Sequence, residues 1–458
     1  MKLPVPPPAL DQLVGRYLST LSRDPSRLEI LTVLRPGPAP EGKYRHWDTF
    51  RHTPMPDGWT PEDMWFAVKL ARRALYRPLP FGDVDGRPFQ YALPNAALEM
   101  LHLIDRDAAG AIRGDGTLAE ATSPASRDTY LFKSLVEEAI TSSQLEGAST
   151  TRRVAKAMLQ EGRAPRDRSE RMIYNNYQGM LFVRRILDQP LTPAAVIELQ
   201  RILTEGTLDE PDAAGRLRRP DEPIVVSDET GQTLHVPPPA DQLRARLVAL
   251  CEFANGAGDE FVPPAVRAIV LHFWLAYDHP FVDGNGRTAR ALFYWAMARH
   301  GYWLCEFVSI SRILRRARAQ YARAFLYAET DDNDVTYFLL YQLRVLRRAI
   351  DELHAYLARR TRQLREAEAL VRRASLAHTE LNPRQLSLVN HALKHPAARY
   401  TVESHRVSHG VSYETSRSDL LALARAGLLD QRKQGRAFVF VAPDDLRVRL
   451  GVSGGAGA

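Results

Sequence analysis

One twelve-residue stretch constrains this chain more than any other: His279-Pro280-Phe281-Val282-Asp283-Gly284-Asn285-Gly286-Arg287-Thr288-Ala289-Arg290. A helical pattern with the apolar face Ile269, Phe273 and Ala276 runs into it and stops before Pro280, as a proline usually requires. Gly284, Asn285 and Gly286 then form a loop able to aim several backbone N–H groups at one point, and a second helix begins near Arg287. Such a junction is an anion site, because unpaired N–H groups and a partial positive charge of about half a unit converge there. Arg287 and Arg290, three positions apart, share one helix face and carry planar donor forks suited to phosphate. Asp283 offers a single hard oxygen ligand, and Mg²⁺ typically uses one or two carboxylates plus substrate phosphates. His279, with a side chain that titrates near neutrality, can take a proton from an attacking hydroxyl. Singly, each feature is ordinary. Their combined spacing points to transfer of a phosphorus group from a polyphosphate nucleotide.

The rest of the composition fits a cytoplasmic enzyme. A chain of 458 residues suggests about three domains at roughly 100–200 residues each. With 45% hydrophobic and 25% charged residues it is an ordinary globular sequence, which excludes a disordered chain, a collagen and a disulfide-stapled miniprotein. The net charge of +7 carries little weight, because only 7 of the 61 basic residues are Lys, an Arg skew that looks like genomic base composition. Cys251 and Cys305 have no metal-site spacing and read as free thiols in a reducing compartment. The N-terminus lacks a signal-peptide apolar core, and the most apolar stretch, Ala268 to Ala276, is about half a membrane span.

Along the chain, residues 1–125 carry helical patterns at Ala9–Ser22 and Pro61–Tyr76 and no evident chemistry, so a scaffold or docking domain is expected there. Gly110–Ser126 reads as a boundary loop. Residues 126–342 read as a mainly α domain. Its first helix, about 128–147, has Leu131, Leu135, Ala139 and Ser142 along one face and Gly147 as its cap. Helices are expected at Ser169–Leu187, Ala194–Thr204, Pro239–Ala254, Pro264–Tyr277, Arg287–His300 and Ser311–Glu329. One hairpin interrupts them, with Ile224-Val225-Val226 and Thr233–Val236 around the turn Asp228–Gly231. Residues 343–380 read as a connector helix and 381–446 as a winged helix-turn-helix, with helices at Pro383–Lys394, Glu403–His409 and Tyr413–Ala426 and a wing at Leu428–Val441. Residues 447–458 are expected to be a disordered tail.

The stretch from His279 matches H-P-F-x-[D/E]-G-N-G-R-x-x-R at every specified position and so resembles the Fic domain, over about Asp128–Glu329. The resemblance implies a Fic-type helical bundle with a β-hairpin flap. It also implies an AMP transferase that moves AMP from ATP to a Ser, Thr or Tyr hydroxyl of a target protein, the target sometimes being the enzyme itself. On that resemblance His279 is the general base, Asp283 the Mg²⁺ ligand, Gly284, Asn285 and Gly286 the phosphate loop, and Arg287 and Arg290 the orienting pair for the β- and γ-phosphates. Thr288 and Ala289 complete the ATP-binding segment. Gly215-Arg216-Leu217-Arg218 resembles the segment before the flap, and Ile224, Val225 and Val226 resemble the flap that holds target backbone by strand addition. Ser142-Ser143-Gln144-Leu145-Glu146-Gly147 is similar to the family's inhibitory pattern [S/T]-x-x-x-E-[G/N], which implies that Glu146 pairs with Arg290 and displaces the γ-phosphate. A later family pattern departs here: Ser311 and Tyr321 align, but Ala317 replaces an Asn near the nucleotide base and Ala322 a second Tyr, which leaves nucleotide choice open.

Residues 383–441 hold nine basic and four acidic side chains, an excess the rest of the chain lacks. Arg417 falls on the expected recognition helix, and Arg432, Lys433 and Arg436 fall on the wing, where they would meet DNA phosphates or groove edges. Winged helices also dock proteins, so DNA and protein remain alternative partners, and a homodimer is left open. Two competing readings stand beside the transferase: a nucleotide-sensing transcription regulator, and an enzyme that removes AMP with Glu146 positioning water.

Overall fold

The computed structural model describes residues 2–109, 124–258, 260–377, 381–395, 398–434 and 437–449. Two helices, Pro264–Asp278 and Asn285–Arg299, pack closely together and form the centre of the larger unit. Both are apolar on nearly every side, the pattern of a helix with no solvent face. Ile269, Phe273, Trp274, Leu292 and Trp295 are accordingly fully buried. Helices Pro124–Leu145, Arg168–Arg185, Pro193–Thr204 and Leu243–Ala254 surround this pair. The first part of the helix Thr336–Ala377 adds Phe338, Leu343 and Leu346 to the same core. Local sequence fixes where the helices begin. Thr192, for example, accepts the Ala195 N–H at 3.2 Å, and Pro193 occupies the first turn, where its missing N–H would have had no partner.

The architecture is mainly α, as expected. Most expected helix ends move by only a few residues, but the helix expected from 343 begins at Thr336 and another expected helix is split. Ser311–Glu329 is two helices, Ile310–Arg316 and Arg318–Thr330, broken at Ala317, whose φ of −131° and ψ of 42° lie outside the helical region. The helix expected at about 128–147 is Pro124–Leu145, so Glu146 sits in the turn just beyond its end, where Gly147 takes a φ of 95°. A helix at Arg152–Glu161 and the antiparallel hairpin Arg77–Gly82 with Pro88–Tyr91 go beyond the elements expected from sequence.

That hairpin changes the picture of the first hundred residues. Phe81 stacks on Trp274 at 4.2 Å, and Phe89 meets Phe273 at 5.3 Å. Gln90 exchanges backbone hydrogen bonds with Asn333 and Val335, at 3.0 and 2.8 Å. Lys69 is buried against Asp331 and Asp332, both at 2.7 Å. The described residues of 1–113 and 122–354 therefore form one compact unit. Most of the expected boundary loop Gly110–Ser126 lies outside the described residues.

The described residues of 355–458 form the second unit. Helices Pro383–Lys394, Val402–His409 and Tyr413–Arg425 pack Leu388, Leu420 and Leu423 against Leu428 and Phe440. Gly410, at a φ of 62°, makes the turn between the second and third helices. Strands Asp430–Gln434 and Ala437–Val441 form the wing, and Arg399–Tyr400 adds a third strand beside Ala437–Val441. Arg436, the rest of the wing tip and residues 450–458 lie outside the described residues, whereas the start of the expected tail, 447–449, belongs to the short helix Leu446–Arg449.

Candidate functional site

The helix Pro264–Asp278 ends at His279, which takes a left-handed φ of 45°, unusual for a residue with a side chain. Tertiary bonds hold this turn. Arg218 donates to the His279 carbonyl at 3.0 Å, and its own N–H meets the Pro280 carbonyl at 2.9 Å. His279 Nδ1 faces the Ala276 carbonyl at 3.1 Å, so Nδ1–H is the donor and Nε2 keeps its lone pair. Burial pushes the imidazole down to about 4, so it is neutral at physiological pH.

Asn285 clasps the loop from inside. Its Oδ1 accepts the Phe281 N–H at 2.9 Å, and its Nδ2 donates to the Phe281 carbonyl at 2.8 Å. Gly284, at a φ of 87°, starts the next helix, and a Cβ there would come within 2.7 Å of Thr204. Gln200 braces the same loop by donating to the Asp283 carbonyl at 3.0 Å. Thr288 and Ala289 are fully buried, and Thr288 bonds the Gly284 carbonyl at 2.9 Å, so both shape the loop from the core side.

The two arginines have different surroundings. Arg287 is buried, donating to the Leu203 carbonyl at 2.7 Å and to Asp283 at 3.1 Å. Arg290 lines a cavity of about 540 Å³ together with Glu146, Gly286, His279, Val226 and Phe325. Its Nε donates to Ser142 Oγ at 2.9 Å, and one terminal nitrogen donates to the Ser142 carbonyl at 3.1 Å and to Glu146 at 2.8 Å. Burial pushes the Glu146 carboxyl up, but the Arg290 and Arg287 charges outweigh it and hold it below the usual carboxylate range. The pair is ionised. Space at Gly286 is equally tight, since a Cβ there would fall 2.2 Å from Glu146.

The flap strands, Val226–Ser227 and Thr233–His235, pair antiparallel around the Asp228 turn. Ile224 and Val225 precede the paired segment, and Val225 is exposed. His235 and Glu329, which no motif marks in the sequence, also line the cavity. So do Tyr321 and Ala322. Glu138 is likewise unmarked: it is buried and accepts from Tyr294 at 2.9 Å and Ser309 at 2.7 Å, and also from the Ser311 hydroxyl. The one sequence signal for Glu138 is a carboxylate two turns before Glu146 and close to the apolar helix face.

Residues 190–297 match the model of the Fic/DOC family. This chain carries a Fic/DOC-family domain. The protein adenylyltransferase Fic of Nematostella vectensis is 29% identical over 188 residues, 39% of this chain and 39% of the relative. That of Drosophila virilis is 37% identical over 68 residues, 15% of this chain and 14% of the relative. The chain thus matches about two fifths or less of the length of these curated relatives. A Fic family protein from Desulfovibrio desulfuricans G20 shares the fold with a TM-score of 0.52 at 16% identity, over 77% of this chain and 98% of that one. The matched residues include the helix–loop–helix described above, and Arg290 lies on its second helix.

Proposed function

We propose that this Fic protein transfers AMP from ATP to a hydroxyl side chain of a protein, and that Glu146 holds it in a state of low activity. One observation carries the reading: in a single cavity, a neutral histidine with a free Nε2 stands beside an arginine already occupied by a carboxylate. In the reaction, the target hydroxyl oxygen bonds to the α-phosphorus while its proton passes to His279 Nε2. The bond from the α-phosphorus to the bridging oxygen breaks, and pyrophosphate leaves. The N–H groups at the start of helix Asn285–Arg299 and the Arg290 guanidinium hold the phosphates. Arg287 braces Asp283 and adds positive potential from beneath the loop.

Asp283 is the residue that would hold Mg²⁺. Its side chain is 41% exposed and is fixed by the Gly284 N–H and Arg287, which fits a lone carboxylate sharing a cation with phosphates. A cation held there would supply charge neutralisation for the leaving phosphates. Among the described residues no group of three or more His, Cys, Asp or Glu could hold a metal without the nucleotide. The segment of half-buried Ile224 and exposed Val225 presents the target by strand addition.

The second unit is the proposed DNA-binding part. Arg417, Arg432 and Lys433 are exposed, whereas Arg384 and Arg406 are held by Asp419 and Glu403. The test of the catalytic reading is autoradiography with α-labelled ATP and Mg²⁺ on the unmutated, Glu146→Gly and Glu146→Gly/His279→Ala proteins. Strong labelling is expected only for Glu146→Gly. Equal labelling of the first two removes the autoinhibition, and labelling that survives in the double mutant removes His279 as the base.

A further inference from the structure

His235 is the last residue of the second flap strand, and its ring is 9% exposed. Nδ1 lies 2.7 Å from the Glu329 carboxylate, and Nε2 lies 2.7 Å from the Tyr277 carbonyl oxygen. Both partners are acceptors. A neutral imidazole has one N–H and can satisfy only one of them, so the geometry calls for a proton on each nitrogen. The Tyr277 carbonyl belongs to the last turn of helix Pro264–Asp278, the negative end of its dipole, which favours a cation. Two residues further along the chain is His279.

We propose that His235, bonded as an imidazolium between Glu329 and the Tyr277 carbonyl, is a positioning residue that fixes the flap over His279. The proposal rests on the flap's role in presenting the target. The flap has other ties as well: Asp228 helps organise the turn, Arg318 meets Glu229 in an exposed 3.4 Å pair of small worth, and Arg218 donates to the Pro238 carbonyl just past the second strand. His235 links both the Arg318–Thr330 helix, through Glu329, and the end of the catalytic helix. A latch of this kind keeps the target backbone in register with the base, and it opens when one proton is lost.

The charged groups around the ring set the direction of that opening. Burial opposes the His235 charge, but Glu329, the Tyr277 carbonyl and Asp278 outweigh it and raise the imidazole above its ordinary value. Arg246 is paired with Asp278 at 2.7 Å, and Asp83 and Arg87 from the N-terminal hairpin share a second cavity with the ring. Of the other basic groups nearby, His279 is neutral and Arg218 is turned to backbone carbonyls. A raised value means that the latch is fully closed below the ordinary imidazole value of about 6.5 and is lost as pH rises through the raised one.

Hydrogen–deuterium exchange of the full chain tests this, read on peptides spanning 223–238 from pH 6.5 to 9.5 and normalised to the unfolded segment. Flap protection should fall roughly tenfold across an alkaline step, the effect of losing one charge-assisted bond. His235→Gln and Glu329→Gln should show low protection at every pH and no step, with unchanged thermal midpoints, whereas His279→Ala should keep the step. The same two substitutions in the Glu146→Gly protein should raise the KM for a protein acceptor more than they lower nucleotide affinity. A step that persists in His235→Gln, or flap protection that does not depend on pH, overturns the latch. A step without any AMP transfer keeps the latch and overturns the catalytic reading.

Discussion

At the scale of single residues, the proposed function turns on Arg290. A carboxylate and a triphosphate cannot hold one guanidinium in the same geometry. A charge-assisted pair contributes roughly 1.5–3 kcal/mol, and at about 1.4 kcal/mol per tenfold the competition should weaken ATP binding about ten- to a hundredfold. Calorimetric titration with ATP and Mg²⁺ should therefore show that much tighter binding for Glu146→Gly. Arg290→Ala should not mimic it, because it removes the competitor's partner and the phosphate ligand together. Unchanged affinity in Glu146→Gly would leave the Glu146 contact without a regulatory role. The meeting of His279, Glu146 and Arg290 at one cavity could be anticipated from the two motifs and their spacing. The separation of Arg287 from Arg290 could not. Helical periodicity puts both on one face, but the Leu203 carbonyl that takes up Arg287 comes from a distant part of the chain. His235 and Glu329 are likewise 94 residues apart, and no local pattern joins them.

At the scale of elements, the proposed inhibition would depend on how helix Pro124–Leu145 is held, and Glu138 is its buried anchor. This carboxylate ties the helix to Tyr294 on the second catalytic helix and to Ser309 and Ser311 beside the Ile310–Arg316 helix. Removing it leaves several buried donors short of an acceptor, at a cost of about 1–3 kcal/mol. Glu138→Ala should raise self-labelling above the unmutated protein but below Glu146→Gly, and the double mutant should label no more than Glu146→Gly alone. Additive gains would mean that Glu138 acts elsewhere. The wing is an element with its own test. If it binds DNA, the log–log salt slope of binding should shrink by about 0.9 for each phosphate that a removed cation no longer neutralises. Replacing Arg432 and Lys433 together should flatten it, as read by mobility shift. Absence of binding to any fragment at low salt favours a protein partner. The helices of this unit were legible because capping residues and Gly410 mark their ends. The strand Arg399–Tyr400 was not, since two residues carry no period.

At the scale of the whole molecule, the N-terminal hundred residues are part of the larger unit rather than an appendage. What attaches them was invisible in sequence: Lys69 and Asp331 meet across 262 positions, and Tyr44 reaches Asp334 at 2.6 Å. His46 sits in the same seam, stacked on Tyr327 at 4.3 Å. Burial lowers His46 to about 4 and His272 to about 3, as it lowers His279 to about 4. The sign follows directly. Each histidine is neutral in the folded chain and titrates near 6.5 when unfolded, so between those values the unfolded state binds more protons. Their contribution to stability is complete above about pH 6.5 and is lost as pH falls toward 4. At 1.36 kcal/mol per pH unit, each can cost roughly 3–5 kcal/mol once pH has fallen through its folded value. The paired carboxylates Asp331 and Glu146 are held below their ordinary values, so they add to acid destabilisation mainly below pH 4.5, a different window. All six tryptophans lie between positions 47 and 303, within the larger unit, so their fluorescence reports that unit alone. The tryptophan-detected thermal midpoint of the nucleotide-free protein should fall steadily between pH 6.5 and pH 5, and His272→Gln should make the fall shallower. A midpoint that is flat over that range would mean that these imidazoles gain protons in the folded chain without cost.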